Sequence, residues 1–421
     1  MRALTGCLML FAASQSAVAF NFTVNDLSDA VDSTPGDGIC EATPAAGDCT
    51  LRAAIQESNA WPGRDSIHIP ASTHTLSLTG DDNNAAAGDL DITEALSIHG
   101  ASETLSIIDA NNIDRAIDIH GVDVQIENLT IQNGSTVGTE GGGIRSVLGK
   151  LTIRNATIDS NETTGFGYGG GGIYSAGPLV IDNTTISNNR SSRGGGLLHF
   201  SYDMTITNSR ISSNLVDFGA GSGGGIFIQS DGTNTIINTT IDSNTAALGG
   251  GGGIYAVNGL TLTNSTISNN TALLVGGGGI YDIGLAPLVI TNSTISGNEA
   301  TGNGGGIQVR QSRASVINST IYGNRAFGTH DVAQETYNGH GGGIYLPSGS
   351  SIVLSNTIIA GNTASVLTPA GNNCYSQNST GVFSAIQTTS EYVISDDSTC
   401  ELTGTGDQPN TSPSLSTILG T

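Results

Sequence analysis

Eight copies of one phrase constrain this chain more than anything else in it. The clearest copy runs Gly251-Gly252-Gly253-Ile254-Tyr255 and continues as Leu260-Thr-Leu-Thr-Asn264-Ser-Thr-Ile267-Ser-Asn-Asn270. Aligned on the first asparagine, the copies fall at Asn155, Asn183, Asn208, Asn238, Asn264, Asn292, Asn318 and Asn356. Each carries a second asparagine six residues on, from Asn161 to Asn362. That offset holds while the repeat length varies between roughly 25 and 38 residues, as stacked units joined by loops of free length require.

Period-two alternation inside each copy predicts three short strands and assigns their faces. The residue after the glycines forms one inward column, from Ile144 through Ile254 to Ile344. The residue two before the aligned asparagine forms a second, from Ile153 to Leu354, and the residue three after it a third, from Ile158 to Ile359. Three strands per copy close into an all-β, right-handed parallel β-helix, a pectate-lyase-like solenoid of about eleven or twelve turns stacked at roughly 4.8 Å. The aligned asparagines sit at strand ends. Asn accepts the left-handed conformation and its amide both donates and accepts, so stacked copies are expected to form a structural ladder.

Composition fits an extended solenoid and excludes some partners. Among 421 residues there are 60 glycines, 12% of the chain is charged and the net charge is -23. Lys150 is the only lysine, so a groove that follows phosphates has little to be built from, and nucleic acid is excluded as a partner. The same field repels polyanionic glycans unless a cation such as Ca2+ intervenes. Asp109, Asp114, Asp118 and Asp123 crowd one early region and offer such a site, although turn-forming aspartate beside Asn111-Asn112 is the favoured account.

The domain pattern reads as a signal peptide over residues 1–19, an N-terminal cap over 20–66, irregular early turns over 67–134, regular repeats over 135–363 and a C-terminal cap or tail over 364–421. An apolar run from Leu8 followed by Ala17-Val18-Ala19 predicts secretion with cleavage before Phe20. No later stretch is long and apolar enough to form a transmembrane helix. Cleavage removes Cys7 and leaves two local pairs, Cys40 with Cys49 and Cys374 with Cys400, expected as disulfides in an oxidising compartment. Residues 51–60 have helical periodicity with Thr50 as N-cap, and one helix ahead of many strands predicts a cap over the open solenoid end.

Cys49-Thr50-Leu51-Arg52-Ala53-Ala54-Ile55, with Asn59-Ala60 and Gly63-Arg-Asp65-Ser-Ile67, resembles the CSLREP motif of bacterial secreted and surface β-helix proteins. The Gly-Gly-x-Ile and Ile-x-x-Asn alternation is similar to polymorphic outer-membrane-protein repeats. The tail through Asn373-Cys374-Tyr375 and Asn410-Thr-Ser-Pro413-Ser-Leu415 resembles the end of CSLREP proteins that carry a sorting region. These resemblances imply a protein secreted from, or held on the outer surface of, a bacterial cell, without implying one activity.

Candidate sites lie on the outside. The position after the inward isoleucine holds Arg145, Tyr174, Leu198, Phe227, Tyr255, Tyr281, Gln308 and Tyr345. Tyr174, Phe227, Tyr255, Tyr281 and Tyr345 are the expected ligand-binding stripe, on which sugar rings would stack, while cross-strand ring packing is the structural alternative. A second stripe of threonines, including Thr157, Thr185, Thr240, Thr266 and Thr294, suits an ice-binding face. The insertion over residues 325–340 holds His330, Asp331, Glu335 and His340 without a strong ligand spacing. Arg145, His199, Asp282 and Arg310 are scattered candidates for lyase chemistry, and the sequence brings no catalytic constellation together. The reading is an extracellular binding or adhesion protein for polysaccharide or a host or cell-surface glycan. A polysaccharide lyase, hydrolase or epimerase on the ring-lined face is the alternative, and an ice binder the third.

Overall fold

The computed structural model describes residues 19–219, 221–284, 286–328, 339–365, 372–376 and 390–411, with the backbone of 330–331 and 336–337. The expected signal peptide up to residue 18, the side chains of His330, Asp331 and Glu335, and the tail at Pro413 to Leu415 lie outside the described residues.

The chain winds into a parallel β-helix whose turns contribute to four sheets rather than three. In one regular turn Ile254–Ala256 lies in sheet I, Leu260–Thr263 in sheet II, Thr266–Ser268 in sheet III and Thr271–Ala272 in sheet IV. Among the described residues the sheets hold 11, 12, 12 and 9 strands in that order. Sheet IV corrects the expectation of three strands per copy. Most of its regular strands are two residues long and point a small side chain inward, such as Ala246, Ala272, Ala300 and Ala326. So short a segment with so little apolar bulk gives no alternation to read.

The three expected inward columns are buried. Ile144 to Ile344, Ile153 to Leu354 and Ile158 to Ile359 form one continuous core. Each pair of turns is in register, Ile254 opposite Ile280 and Leu262 opposite Ile290. Every such pairing satisfies backbone groups that would otherwise be orphaned.

The two asparagine columns have different jobs. All eight aligned asparagines, from Asn155 to Asn356, adopt positive φ between 44° and 51° and turn the chain from sheet II to sheet III. They are exposed, and their amides bond only in places, as from Asn183 to Asn155 at 2.8 Å and from Asn356 to Asn318 at 3.0 Å. The unbroken ladder belongs to the second column. From Asn161 to Asn362 each Nδ2 donates to Oδ1 of the next copy, and each backbone N–H up to Asn324 donates to that same oxygen. Asn270 to Asn298 is typical, at 3.0 Å for both bonds. Each Nδ2 also donates to a strand carbonyl, for Asn270 that of Ile241 at 2.9 Å. These asparagines are essentially buried.

The ladder explains the glycines. A Cβ on Gly253 would stand 3.0 Å from Nδ2 of Asn270 and 2.7 Å from the carbonyl oxygen of Gly279 in the next turn. The same clash recurs at Gly225 and Gly279, so the last glycine of each triad is the floor on which a buried asparagine lies.

The open N-terminal end is closed by the helix Leu51–Ala60, with Thr50 as N-cap accepting from the Ala53 N–H at 3.0 Å. Cys40–Cys49 and Cys374–Cys400 are disulfides, one near each end. Among the described residues no helix is long and apolar enough to cross a membrane.

Candidate functional site

One outward file on sheet I runs the length of the solenoid in register: Asp91, Asp118, Arg145, Tyr174, Leu198, Phe227, Tyr255, Tyr281, Gln308, Tyr345 and Tyr375. Its tail is the expected ring stripe, and the structure covers most of it. Phe227 is 7% exposed, while Tyr281 and Tyr345 are each 5% exposed; only Tyr174 and Tyr255 of the expected five keep half-open surfaces. The rings pack on one another, Phe227 stacked on Tyr255 at 4.8 Å and Tyr255 edge-on to Tyr281 at 5.2 Å. They also lie down on glycine backbone, where a Cβ on Gly250 would strike the Tyr281 ring. Burial pushes the phenols of Tyr255 and Tyr345 up to about 12. Parity gave the direction of these side chains correctly, but packing between turns consumes the faces a sugar would need.

The head of the file is different. Strands Leu90–Ile92, Ile117–His120 and Ile144–Val147 place Asp91, Asp118 and Arg145 side by side, with His120 two residues beyond Asp118 on the same face. Asp118 and Arg145 line a cleft of about 430 Å³ whose other walls include Asp81, Asp82, Asp89, Asp114, Arg115 and Glu140. Arg145 donates through Nη1 to both Asp118 oxygens at 3.1 Å, and its side chain stays 29% exposed. Beside them His120 Nε2 lies 2.8 Å from Oδ1 of Asp91. Burial raises the Asp91 carboxyl, against the opposing pull of the Ala85 N–H and His120.

Arg115 is the strut of this cleft. Its Nη1 bonds Asp89 at 2.7 Å and Asp118 at 2.8 Å, and its other nitrogens reach the Gly141 carbonyl at 2.9 Å and the Thr139 hydroxyl at 3.0 Å. Burial outweighs that positive neighbour and pushes the Asp89 carboxyl up to about 7. The wall bearing Asp89 is tied to the cap helix. The buried Arg52 pairs with Asp29 at 2.6 Å and donates to the carbonyls of Ala85, Gly88 and Asp89. Asn59 on the same helix clamps the strand of Asp91, donating to the Asp91 carbonyl at 2.7 Å and accepting from the Thr93 N–H at 2.8 Å.

This arrangement limits the chemistry. Asp89 and Asp118 are close enough for a glycosidase pair, but the Arg115 guanidinium fills the space between them where a glycosidic bond would have to sit. Donor atoms of Asp91, Asp118 and His120 lie within 4.8 Å of one another. A divalent ion there would face two guanidinium groups already bound to Asp118, which disfavours it. The expected Ca2+ set does not converge either. Asp109 caps the Asn111 N–H at 2.8 Å and Asp123 accepts from the Lys150 N–H at 2.9 Å, and only Asp114 and Asp118 share the cleft. What remains is a histidine oriented by a buried carboxylate beside a half-exposed arginine, which can hold sugar hydroxyls or remove a proton.

Of the scattered lyase candidates, only Arg145 reaches the cleft. His199 and Asp282 point inward and are fully buried, and Arg310 is exposed near Tyr281. The sequence reading passed over Asp89, Asp91, Arg115 and His120. Parity in Leu90-Asp-Ile92 and Ile117-Asp-Ile-His120, continued from Ile144-Arg145, contains the signal for three file positions and His120. The threonine stripe is in register from Thr240 to Thr320, but Arg210, paired with Asp242 at 2.7 Å, and the exposed Tyr322 break its flatness.

The family model described as "Right handed beta helix region" matches residues 94–272 and 221–382. No curated protein matches the chain. Solved structures that resemble it include two from carbohydrate-modifying enzymes. A crystal structure of pectate lyase Pel9A has 13% identity, covers 96% of this chain and 83% of its own, and gives a TM-score of 0.44. The A-module of the Azotobacter vinelandii mannuronan C-5 epimerase AlgE6 has 11% identity, covers 86% of this chain and 91% of its own, and gives a TM-score of 0.30. With the matched segments spanning well over half of its residues, this chain belongs to the right-handed β-helix family.

Proposed function

We propose that this is an extracellular carbohydrate-binding protein and that its sugar site is the cleft at the head of the outward file, not the ring stripe. The observation that carries this reading is the open cleft of about 430 Å³ with Asp118 and Arg145 in register on its floor. Planar groups fixed by one another present donors and acceptors to sugar hydroxyls at small entropic cost. The half-open Tyr174 ring lies one strand beyond Arg145 and supplies a stacking face at the cleft's edge. The many carboxylates around the cleft select neutral sugars over polyanions unless a cation screens them.

A second reading is a polysaccharide lyase or epimerase, favoured by the Asp91–His120 pair. In it Asp91 orients His120 as the base, and Arg145 neutralises the substrate carboxylate so that the neighbouring C5 proton becomes acidic. The test is a panel of neutral and acidic polysaccharides, with and without Ca2+, read both for binding and for new unsaturated or reducing ends. Binding without new ends, reduced at least tenfold by Arg145→Gln and unaffected by Tyr281→Phe, supports the binder. New chain ends that vanish in His120→Ala replace it with the enzyme. Binding that survives Arg145→Gln removes the cleft from the account.

A further inference from the structure

Asp65 is a buried carboxylate missing half of its partners. It opens the strand Asp65–Ile69 and is 1% exposed. Its Oδ1 accepts the backbone N–H of Phe20 at 2.8 Å, and its Oδ2 has no hydrogen-bond partner. Burial raises its carboxyl, the Phe20 N–H opposes that, and the charge acting from nearby is another carboxylate, Glu94. A buried acceptor left in this state is costly.

Phe20 is also held unusually firmly for a residue so near the start. Its carbonyl accepts from the Ser66 N–H at 2.9 Å, and Asn21–Thr23 continues in parallel register with Ser66 to His68. Its ring stacks on Phe22 at 5.8 Å and packs against Trp61 at 5.7 Å. The nitrogen of Phe20 is therefore fixed at Asp65 by contacts that owe nothing to the residues before it, while Ala19 is exposed. Ala17-Val18-Ala19 places small residues at the two positions a leader peptidase reads.

We propose that hydrolysis of the Ala19–Phe20 bond supplies the partner Asp65 lacks: the new α-ammonium of Phe20 forms a buried ion pair with Asp65 and locks the N-terminal cap. Water supplies the hydroxyl to the Ala19 carbonyl carbon as the C–N bond breaks. The released nitrogen takes the remaining hydrogen of that water and one proton from solvent. The single amide donor becomes an ammonium with three donors and a positive charge, enough to bond both oxygens of Asp65. The cap helix beside this strand also holds the walls of the cleft through Arg52 and Asn59.

The pH dependence has a definite sign. An α-amino group has a pKa near 7.7–8.0 when free, and the ion pair raises it in the folded chain. While Asp65 is ionised, its stabilisation is complete below about pH 8 and disappears as pH rises through the raised value.

The test compares three proteins by thermal unfolding between pH 6 and 11: the chain beginning at Phe20, the same chain with Ala19 retained, and the Asp65→Asn variant of the first. N-terminal sequencing of the exported protein accompanies it. The expected result is a natural terminus at Phe20 and a melting temperature several degrees above that of the Ala19-extended chain at pH 7, the gap closing at high pH and absent in Asp65→Asn. A different natural terminus, or equal melting of the Phe20 and Ala19 chains at every pH, overturns the proposal. If Asp65→Asn does not fold, the comparison of the two wild-type chains still decides. None of these readouts involves a sugar, so they stand or fall apart from the cleft.

Discussion

Replacing Asn270 by Ala tests the claim that the second asparagine column, not the first, holds the solenoid. The Asn270 side chain makes four hydrogen bonds. Its Oδ1 accepts the Asn244 backbone N–H at 3.0 Å and the Asn244 Nδ2 at 2.9 Å, and its Nδ2 donates to the Ile241 carbonyl and to Asn298. In Asn270→Ala the Asn298 oxygen keeps the backbone N–H of residue 270. The Asn244 N–H and one Asn244 amide hydrogen are left without partners in a dry interior, and the Ile241 carbonyl loses one of its donors. At about 1–1.5 kcal/mol for each bond lost, and more where a buried group stays orphaned, the cost is about 3–5 kcal/mol. Asn264→Ala in the same turn is the control. Asn264 is exposed with φ of 51°, and replacing Asn, whose short polar side chain eases that left-handed conformation, with Ala costs about 1 kcal/mol. Urea unfolding gives both numbers. Amide exchange should show protection lost first in the turns flanking residue 270, because a solenoid is stabilised through nearest-neighbour interfaces. If Asn270→Ala costs no more than Asn264→Ala, the buried ladder is not what fixes the stack.

Three further outcomes are expected. Gly253→Ala should destabilise by about 1–3 kcal/mol by forcing a Cβ against the Asn270 amide and the Gly279 carbonyl, whereas Gly349→Ala, whose Cβ meets nothing, should cost only its backbone strain; urea midpoints compare them. Asp282 is fully buried, both its oxygens lack well-formed hydrogen bonds, and burial pushes its carboxyl up to about 7. Its folded pKa exceeds the unfolded one, so the native state holds the extra proton and stability falls as pH rises from about 4 to about 7, by at most roughly 4 kcal/mol; Asp282→Asn should flatten that slope in urea titrations. Reduction of Cys374–Cys400, which closes a separation of 26 residues, should lower stability by about 3 kcal/mol and expose the C-terminal turns to protease before the N-terminal ones.

How much of this was legible depends on whether a residue's neighbours recur with it. Ile254 and Ile280 are inward because alternation inside one copy says so, and eight copies repeat the statement. Sheet IV was missed because Thr271–Ala272 offers two residues and one methyl group. The two asparagines look alike along the chain, and what separates them is the glycine one turn segment away that leaves room only for the second. Tyr281 was placed on the correct face, yet its exposure is set by Gly250 in the preceding turn, a contact no single copy displays. The cleft was harder still. Its walls come from residues 81–89, 113–115 and 135–140, segments of three different turns that share no pattern, the last including the strand Ser135–Val137.

The position of the cleft follows from where the repeat stops. The buried ladder begins at Asn161, which accepts the Gly134 N–H at 2.8 Å, and every later turn inherits the glycine and asparagine that dictate its cross-section. Before it, each turn is held by contacts used once: Arg52 on the loop of Asp89, Asn59 on the strand of Asp91, and Arg115 across to residues 139–141. A turn free of the ladder can replace a ring in the outward file with a charge and widen the loop above it without disturbing its neighbours' asparagines. The turns that follow Arg145 carry only uncharged residues in the file, from Tyr174 to Tyr375, and several of these, such as Leu198, Tyr281 and Gln308, press on glycine. The charged cleft lies at the capped end, and the helix that closes the solenoid also holds the walls of that cleft through Arg52 and Asn59.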